Sequence, residues 1–318
     1  MHRQGRSSVR RVRLGKGELW ALGAALSYAL NNVFTGVAVW GYDLNYMLGV
    51  GLRALPTFLF TLAMGWGARR RNPNVVSPLG DWRLMTALVG NGLLTFMIAN
   101  PLLFAALHEG GVLVASPITG TQVLWSALIA ALFLHEPFNR TMAVGMVVSI
   151  VGVFLLALGR SGGAALSPGW WLAVPYAMGT AFCWSLAGVL ITYAMRRGVD
   201  RFQALTVALL TGIVSLNAYL LLTGKIGLYV TTSRALLFTV LIAGLFNSVA
   251  LISITSALSL TSVASANALN SLQVGLAPLI AWAFIGERMN LLMGLGILLV
   301  MGGVVVVQRA RGTMNDER

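Results

Sequence analysis

Ten apolar stretches follow one another along the chain, at 18–40, 44–67, 82–106, 111–133, 141–159, 170–195, 201–223, 233–258, 261–285 and 289–308. A helix needs about 20 mainly apolar residues to cross the hydrocarbon of a bilayer. Inside that hydrocarbon every backbone N–H and C=O must find a partner within the protein, which leaves helices or a closed barrel. A barrel would carry alternating segments of about 10 residues, and none is present. The predicted fold class is an all-α membrane protein with ten transmembrane helices. Composition closes the other routes, since 57% of the 318 residues are hydrophobic, 10% are charged and mean hydropathy is +0.80. A soluble domain carries about 25% charged residues, and disorder requires low hydrophobicity.

A net charge of +13 could point to nucleic acid, but the placement of the basic residues speaks for membrane orientation instead. With ten spans, the N-terminus, the even-numbered connections and the C-terminus share one side. Seventeen of the 22 Lys and Arg residues fall on that side. Arg160, Lys225, Arg234 and Arg288 fall on the other, and Arg53 lies within a span. The positive-inside rule then puts both termini in the cytoplasm of a multi-pass inner-membrane protein. The basic start before an apolar run also resembles a cleaved signal. The run is too long for one and no small-residue cleavage site follows, so a retained first helix is expected. A single cysteine, Cys183, excludes a disulfide framework, and three histidines without a cysteine cluster give no zinc-finger spacing. No cofactor and no metal is expected.

The chain matches itself at an offset of 151. Residues 112–153 align without gaps on 263–304 with fourteen of 42 positions identical, among them Gln122/Gln273, Glu136/Glu287, Asn139/Asn290, Gly145/Gly296 and Gly152/Gly303. Apolar composition alone does not pair Gln, Glu and Asn in one register. The offset maps spans three to five onto eight to ten, so each unit holds five spans. Five is odd, so the second unit enters the membrane from the opposite side, an arrangement recurrent in transporters. The expected organisation is a basic tail (1–17), a first repeat (18–159), a periplasmic linker (160–169), a second repeat (170–308) and a tail (309–318).

The blocks Leu134-His135-Glu136-Pro137…Gly145…Gly152 and Ile285-Gly286-Glu287-Arg288…Gly296…Gly303 resemble the duplicated EamA signature of the drug/metabolite transporter superfamily. Arg53 in the second span and aromatic residues in the first span of each copy, Tyr28 and Trp184, also fit. His135 and Pro137 depart from the Gly and Arg usual there. The resemblance implies a ten-span inverted-repeat transporter and says little about cargo. Similar proteins include amino acid and metabolite exporters and nucleotide-sugar and triose-phosphate carriers.

The fifth and tenth spans are almost wholly apolar, which suits a lipid-facing rim or a homodimer contact through their glycines. Polar residues crowd elsewhere. Tyr28, Asn31, Asn32 and Thr35 share one face of the first span at i, i+3, i+4 and i+7. Asn91, Thr95, Gln122, Trp125, Trp184, Asn247, Asn267, Asn270 and Gln273 complete a candidate substrate cavity, with Gln122 and Gln273 related by the repeat. Each polar group could instead join helices, where hydrogen bonds are worth about 0.6–2 kcal/mol. Arg53 could clamp a carboxylate or phosphate, or serve architecture by bonding helix-end carbonyls. Glu136 and Glu287 sit at the turns opening spans five and ten, where a carboxylate meets the positive end of a helix. His108-Glu109 marks a gate candidate at the outer mouth.

No Asp or Glu lies mid-span, although carboxylates commonly carry coupled protons in transporters. That disfavours proton-coupled drug efflux and favours export or exchange of a small polar or zwitterionic metabolite, an amino acid or a related compound. A lipid- or drug-moving member of the same superfamily is the nearer alternative. A non-transporting membrane enzyme or structural protein is the more distant one, and the catalytic pairs an intramembrane hydrolase needs are missing from the sequence. The expected partners are a small-molecule substrate and the lipid bilayer, without nucleic acid.

Overall fold

The computed structural model describes residues 15–41, 44–71, 76–133, 139–161, 169–261, 266 and 269–316, and among them there is no strand. The helices are α1 (Lys16–Gly41), α2 (Tyr46–Arg71), α3 (Trp82–Leu93), α4 (Asn100–Gly120), α5 (Gln122–Phe133), α6 (Arg140–Ser161), α7 (Ala173–Arg196), α8 (Arg201–Leu222), the short α9 (Leu228–Thr231), α10 (Arg234–Leu260), α11 (Gln273–Ile280) and α12 (Leu291–Asp316). A π-helical turn, Leu94–Ala99, joins α3 to α4. Eight segments among the described residues are long and apolar enough to cross a bilayer, and Gln273–Ile285 is a shorter apolar helix. The chain is a helical, multi-pass integral membrane protein. Its last helix runs on past the apolar stretch that ends at 308, to Asp316. Arg309 and Arg311 are good helix formers, and nothing in their chemistry ends a helix where the hydrocarbon ends.

One crossing segment, Trp82–Ile129, has 48 residues. A straight helix of that length would measure about 72 Å, more than twice the ~30 Å hydrocarbon. It is broken at Gly111, where φ is 72° and ψ 179°, a conformation that glycine adopts without the Cβ penalty. The chain doubles back there. Thr180 donates to the carbonyl of Ala99 before the break (3.1 Å), and Ser185 donates to the carbonyl of Gln122 after it (2.8 Å), so both arms run along the same stretch of α7.

The break exposes a helix start, and Glu287 fills it. One carboxylate oxygen accepts from Val112 N (2.8 Å) and the other from Leu113 N (2.9 Å). The expected partner of Glu287 was the helix that opens just after it, but that position is taken. Asn290 Oδ1 caps α12 by accepting from Met293 N (2.9 Å), as Asn139 Oδ1 caps α6 at Met142 N (2.9 Å). A side chain three residues before the N–H has the right reach for an N-cap. Glu136 lies outside the described residues.

α6 and α12 pack antiparallel through their glycines rather than leaving them on a rim. A Cβ on Gly152 would stand 2.7 Å from the carbonyl oxygen of Gly296, and one on Gly145 2.8 Å from that of Gly303. Ser149, fully buried, returns its hydroxyl to Gly145 O (3.0 Å). The opposite face of α6, with Val147, Ile150 and Phe154, stays exposed as a lipid-facing surface. The glycines are thus spent inside one chain, and α6 meets the lipid with β-branched and aromatic side chains. Elsewhere, α1 runs along α10 with Phe34 stacked on Phe246 (5.4 Å). α2 runs along α8, where Gly65 meets Gln203 N.

Candidate functional site

α2 carries Arg53 and Thr57 one turn apart, so both point to one side. Pro56 sits between them inside the helix, and Gly244 lets α10 approach closely, since a Cβ there would lie 2.5 Å from the carbonyl oxygen of Arg53. Arg53 is 8% exposed. Its Nη2 donates to Asn100 Oδ1 (2.7 Å), and the guanidinium rests 5.2 Å from the centre of the Phe104 ring. Among the described residues it donates to no helix-end carbonyl, the partner of the architectural reading. It forms no ion pair with any described carboxylate, so a cation stands in the interior held by an amide and a ring. Below it, Asn247 Nδ2 donates to Thr57 Oγ1 (2.9 Å), whose hydroxyl is 3.1 Å from that of Ser248.

A second polar chain joins α1 to α4. Asn31 Nδ2 donates to Asn32 Oδ1 (3.1 Å), and Asn32 Nδ2 donates to Ser116 Oγ (3.2 Å). Thr35 returns its hydroxyl to Asn31 O (2.7 Å). Asn31 is 4% exposed, and its Oδ1 has no hydrogen-bond partner among the described residues; neither does Asn270 Oδ1. An unsatisfied buried acceptor costs about 1–3 kcal/mol, so two such carbonyls mark places where a donor from a ligand or water would be stabilising. The Phe34–Phe246 stack lies within a turn of Asn31 on α1 and beside Asn247 on α10.

The remaining predicted residues divide. Asn91 is spent as glue, its Nδ2 donating to Ala187 O (2.7 Å) and tying α3 to α7. Trp125 packs edge-on against Phe182 at 5.4 Å. Trp184 is half-buried against the main core, and Tyr28 packs on the small cluster formed by α1 and α10. Gln122 and Gln273 are half-buried, and neither side-chain amide bonds to a described residue. Thr95 lies within the π-helical turn. Asn267 lies outside the described residues. The structure thus places Arg53 and Asn247 along the contact of α2 with α10, and Asn31 and Asn32 on α1 where it meets α4.

Phe104 and Thr57 were missed by sequence reasoning, and both were within reach of it. Thr57 is four residues from Arg53, and Phe104 four from Asn100, the spacing that puts side chains on one helical face. Just before the break at Gly111, His108 Nδ1 lies 3.5 Å from Glu109 Oε1, and Trp40 Nε1 donates to His108 O (2.8 Å). No group of three or more metal-ligating side chains occurs among the described residues.

The sequence profile described as "EamA-like transporter family" matches residues 15–158 and 171–309. No curated protein sequence matches the chain. Twenty-eight solved chains match its fold. One of them, a crystal structure of another protein, superposes with a TM-score of 0.62 at 18% identity, over 91% of this chain and 95% of that one. At that identity the likeness concerns the fold alone.

Proposed function

The chain belongs to the EamA-like transporter family, and from that premise we propose a secondary transporter that exports a small polar or zwitterionic metabolite, an amino acid or a related compound, across the inner membrane by alternating access. Ten spans in two inverted repeats (18–159 and 170–308) fit the contacts described above. The doubling-back at Gly111 divides one long segment in two. Gly145 meets Gly303 while Gly152 meets Gly296, the reciprocal pairing that a twofold relation at an offset of 151 requires. Both termini then face the cytoplasm.

The observation that carries the reading is Arg53. A guanidinium at membrane depth costs roughly 2.5–3.5 kcal/mol on insertion scales. Here it lacks a described counter-charge and keeps donors beyond its single bond to Asn100, so a carboxylate on the cargo fits it. Gln122, Gln273 and the free carbonyls of Asn31 and Asn270 supply polar contacts for the rest of the molecule. The apolar groove between α2 and α8 touches none of these residues and is not assigned to the cargo.

The test is uptake and counterflow in proteoliposomes against amino acids, sugars and phosphorylated metabolites. We expect a carboxylate-bearing substrate to move down its own gradient without a proton or sodium gradient. Arg53→Gln removes a charged hydrogen bond worth about 1.5–3 kcal/mol and weakens affinity about 10- to 100-fold. The pair Gln122→Ala and Gln273→Ala loses about 5- to 150-fold, at roughly 0.5–1.5 kcal/mol for each of two bonds. Transport of an uncharged sugar with unchanged affinity in Arg53→Gln would overturn the carboxylate reading.

A further inference from the structure

At the end of the molecule where α2 finishes and α8 begins, a groove of about 390 Å³ opens between the two helices, lined by Leu62, Gly65, Trp66, Pro78, Gln203 and Val207 among others. That volume lies within the range of small-molecule sites, about 300–1,000 Å³. Its walls are almost entirely apolar. Leu62 and Trp66 are exposed, and the apolar strip continues toward the bilayer centre through exposed Leu59 on α2 and exposed Leu210 and Val214 on α8. The spacing 59, 62, 66 and 207, 210, 214 keeps each set on one helical face. The strip has the shape of an acyl chain's track.

The rim supplies the other half of a lipid. Arg70 stands 5.3 Å over the Trp66 ring, and Arg83 lies 5.6 Å over Trp82, which is itself exposed. Val76 N donates to Gly198 O (3.2 Å), fastening the connection after α2 to the turn between α7 and α8. Five arginines (Arg70, Arg83, Arg196, Arg197 and Arg201) therefore stand on the four helix ends that meet here, against two carboxylates, Asp81 and Asp200. Both carboxylates are engaged as N-caps, Asp81 by Arg83 N and Asp200 by Phe202 N and Gln203 N. Tryptophan and arginine at one level are the marks of the headgroup zone, where a cluster of basic side chains attracts anionic lipid.

We propose that this groove is a binding site for one anionic phospholipid, its acyl chain between α2 and α8 and its phosphate beside Arg70. The site is separate from the cargo-binding residues and does not depend on what the protein transports.

Native mass spectrometry of the full chain in non-ionic detergent tests it, after incubation with equal amounts of phosphatidylglycerol and phosphatidylcholine of matched chains. Wild type is expected to retain one phosphatidylglycerol in preference to phosphatidylcholine. Arg70→Gln should lower that preference about fivefold, the worth of one arginine near an anionic headgroup. Val207→Trp fills the groove and should abolish retention of either lipid. Thr206→Phe, on the same wall, serves if Val207→Trp does not fold. Equal retention of the two lipids by wild type overturns the proposal, and so does wild-type retention by a folded groove-filling variant.

Discussion

Glu287 is 4% exposed and spends both carboxylate oxygens on backbone N–H groups of one distant helix start. Those two N–H groups have no intrahelical partner, because Gly111 has broken the ladder before them. Glu287→Ala would leave both buried and unpaired at about 1–3 kcal/mol each. We expect a clear fall in the midpoint of thermal unfolding in detergent. Glu287→Gln keeps one acceptor and should fall between that variant and wild type. Equal midpoints for Glu287→Ala and wild type would show that water replaces the carboxylate at no cost.

Helix crossings make sharper demands than single hydrogen bonds. On α6, a Cβ at Gly152 would stand 2.7 Å from Gly296 O and 2.7 Å from Val300 N, both backbone atoms of α12. Neither atom is free to give way as a flexible side chain would. Gly152→Leu should therefore abolish recovery of folded, monodisperse protein. Gly302→Ala is the control: a Cβ there meets nothing within 4 Å, and removing an exposed helix glycine gains up to about 1 kcal/mol. Size-exclusion profiles and unfolding midpoints of the two variants decide the matter. At this scale the sequence was partly legible. The repeated Asn139/Asn290 and the glycine pairs announced themselves by register, and the caps and crossings gave them their roles. The polar face of α1 was readable because Asn31, Asn32 and Thr35 follow helical spacing. The partner of Glu287 was not, since it lies 175 residues away in sequence and no local pattern encodes a contact across the fold. The π-helical turn at Leu94–Ala99 was equally silent, because one inserted residue leaves apolar periodicity almost unchanged.

For the whole molecule, the arrangement of ends is the most direct thing to measure. With Cys183 replaced, a cysteine at position 228, in α9 between α8 and α10, should react with an impermeant thiol reagent from the periplasmic side. A cysteine at position 77, in the connection after α2, should react from the cytoplasmic side. Reaction at position 228 from the cytoplasm alone would remove the ten-span topology together with the inverted repeat. The expected orientation rests on the uneven spread of arginine along the chain. The polar site was less legible in the sequence, because which asparagine faces a cavity and which binds a neighbouring helix is decided by packing. Asn91 and Asn31 look alike in sequence, yet Asn91 ties α3 to α7 through Ala187 O, whereas Asn31 Oδ1 finds no partner among the described residues.

The glycine seam between α6 and α12, together with the carboxylate that crosses from the turn before α12 to the helix after Gly111, stitches the two copies of the duplication to each other. Neither copy is then free to swing as a whole. On the proposed alternating-access mechanism, the halves written in the sequence are then not the halves that move: the frame draws on both, and movement falls to the helices around it. A disulfide across α6 and α12, placed away from the glycines, should leave the exchange rate unchanged. One between Asn32→Cys and Ser116→Cys should stall exchange until it is reduced.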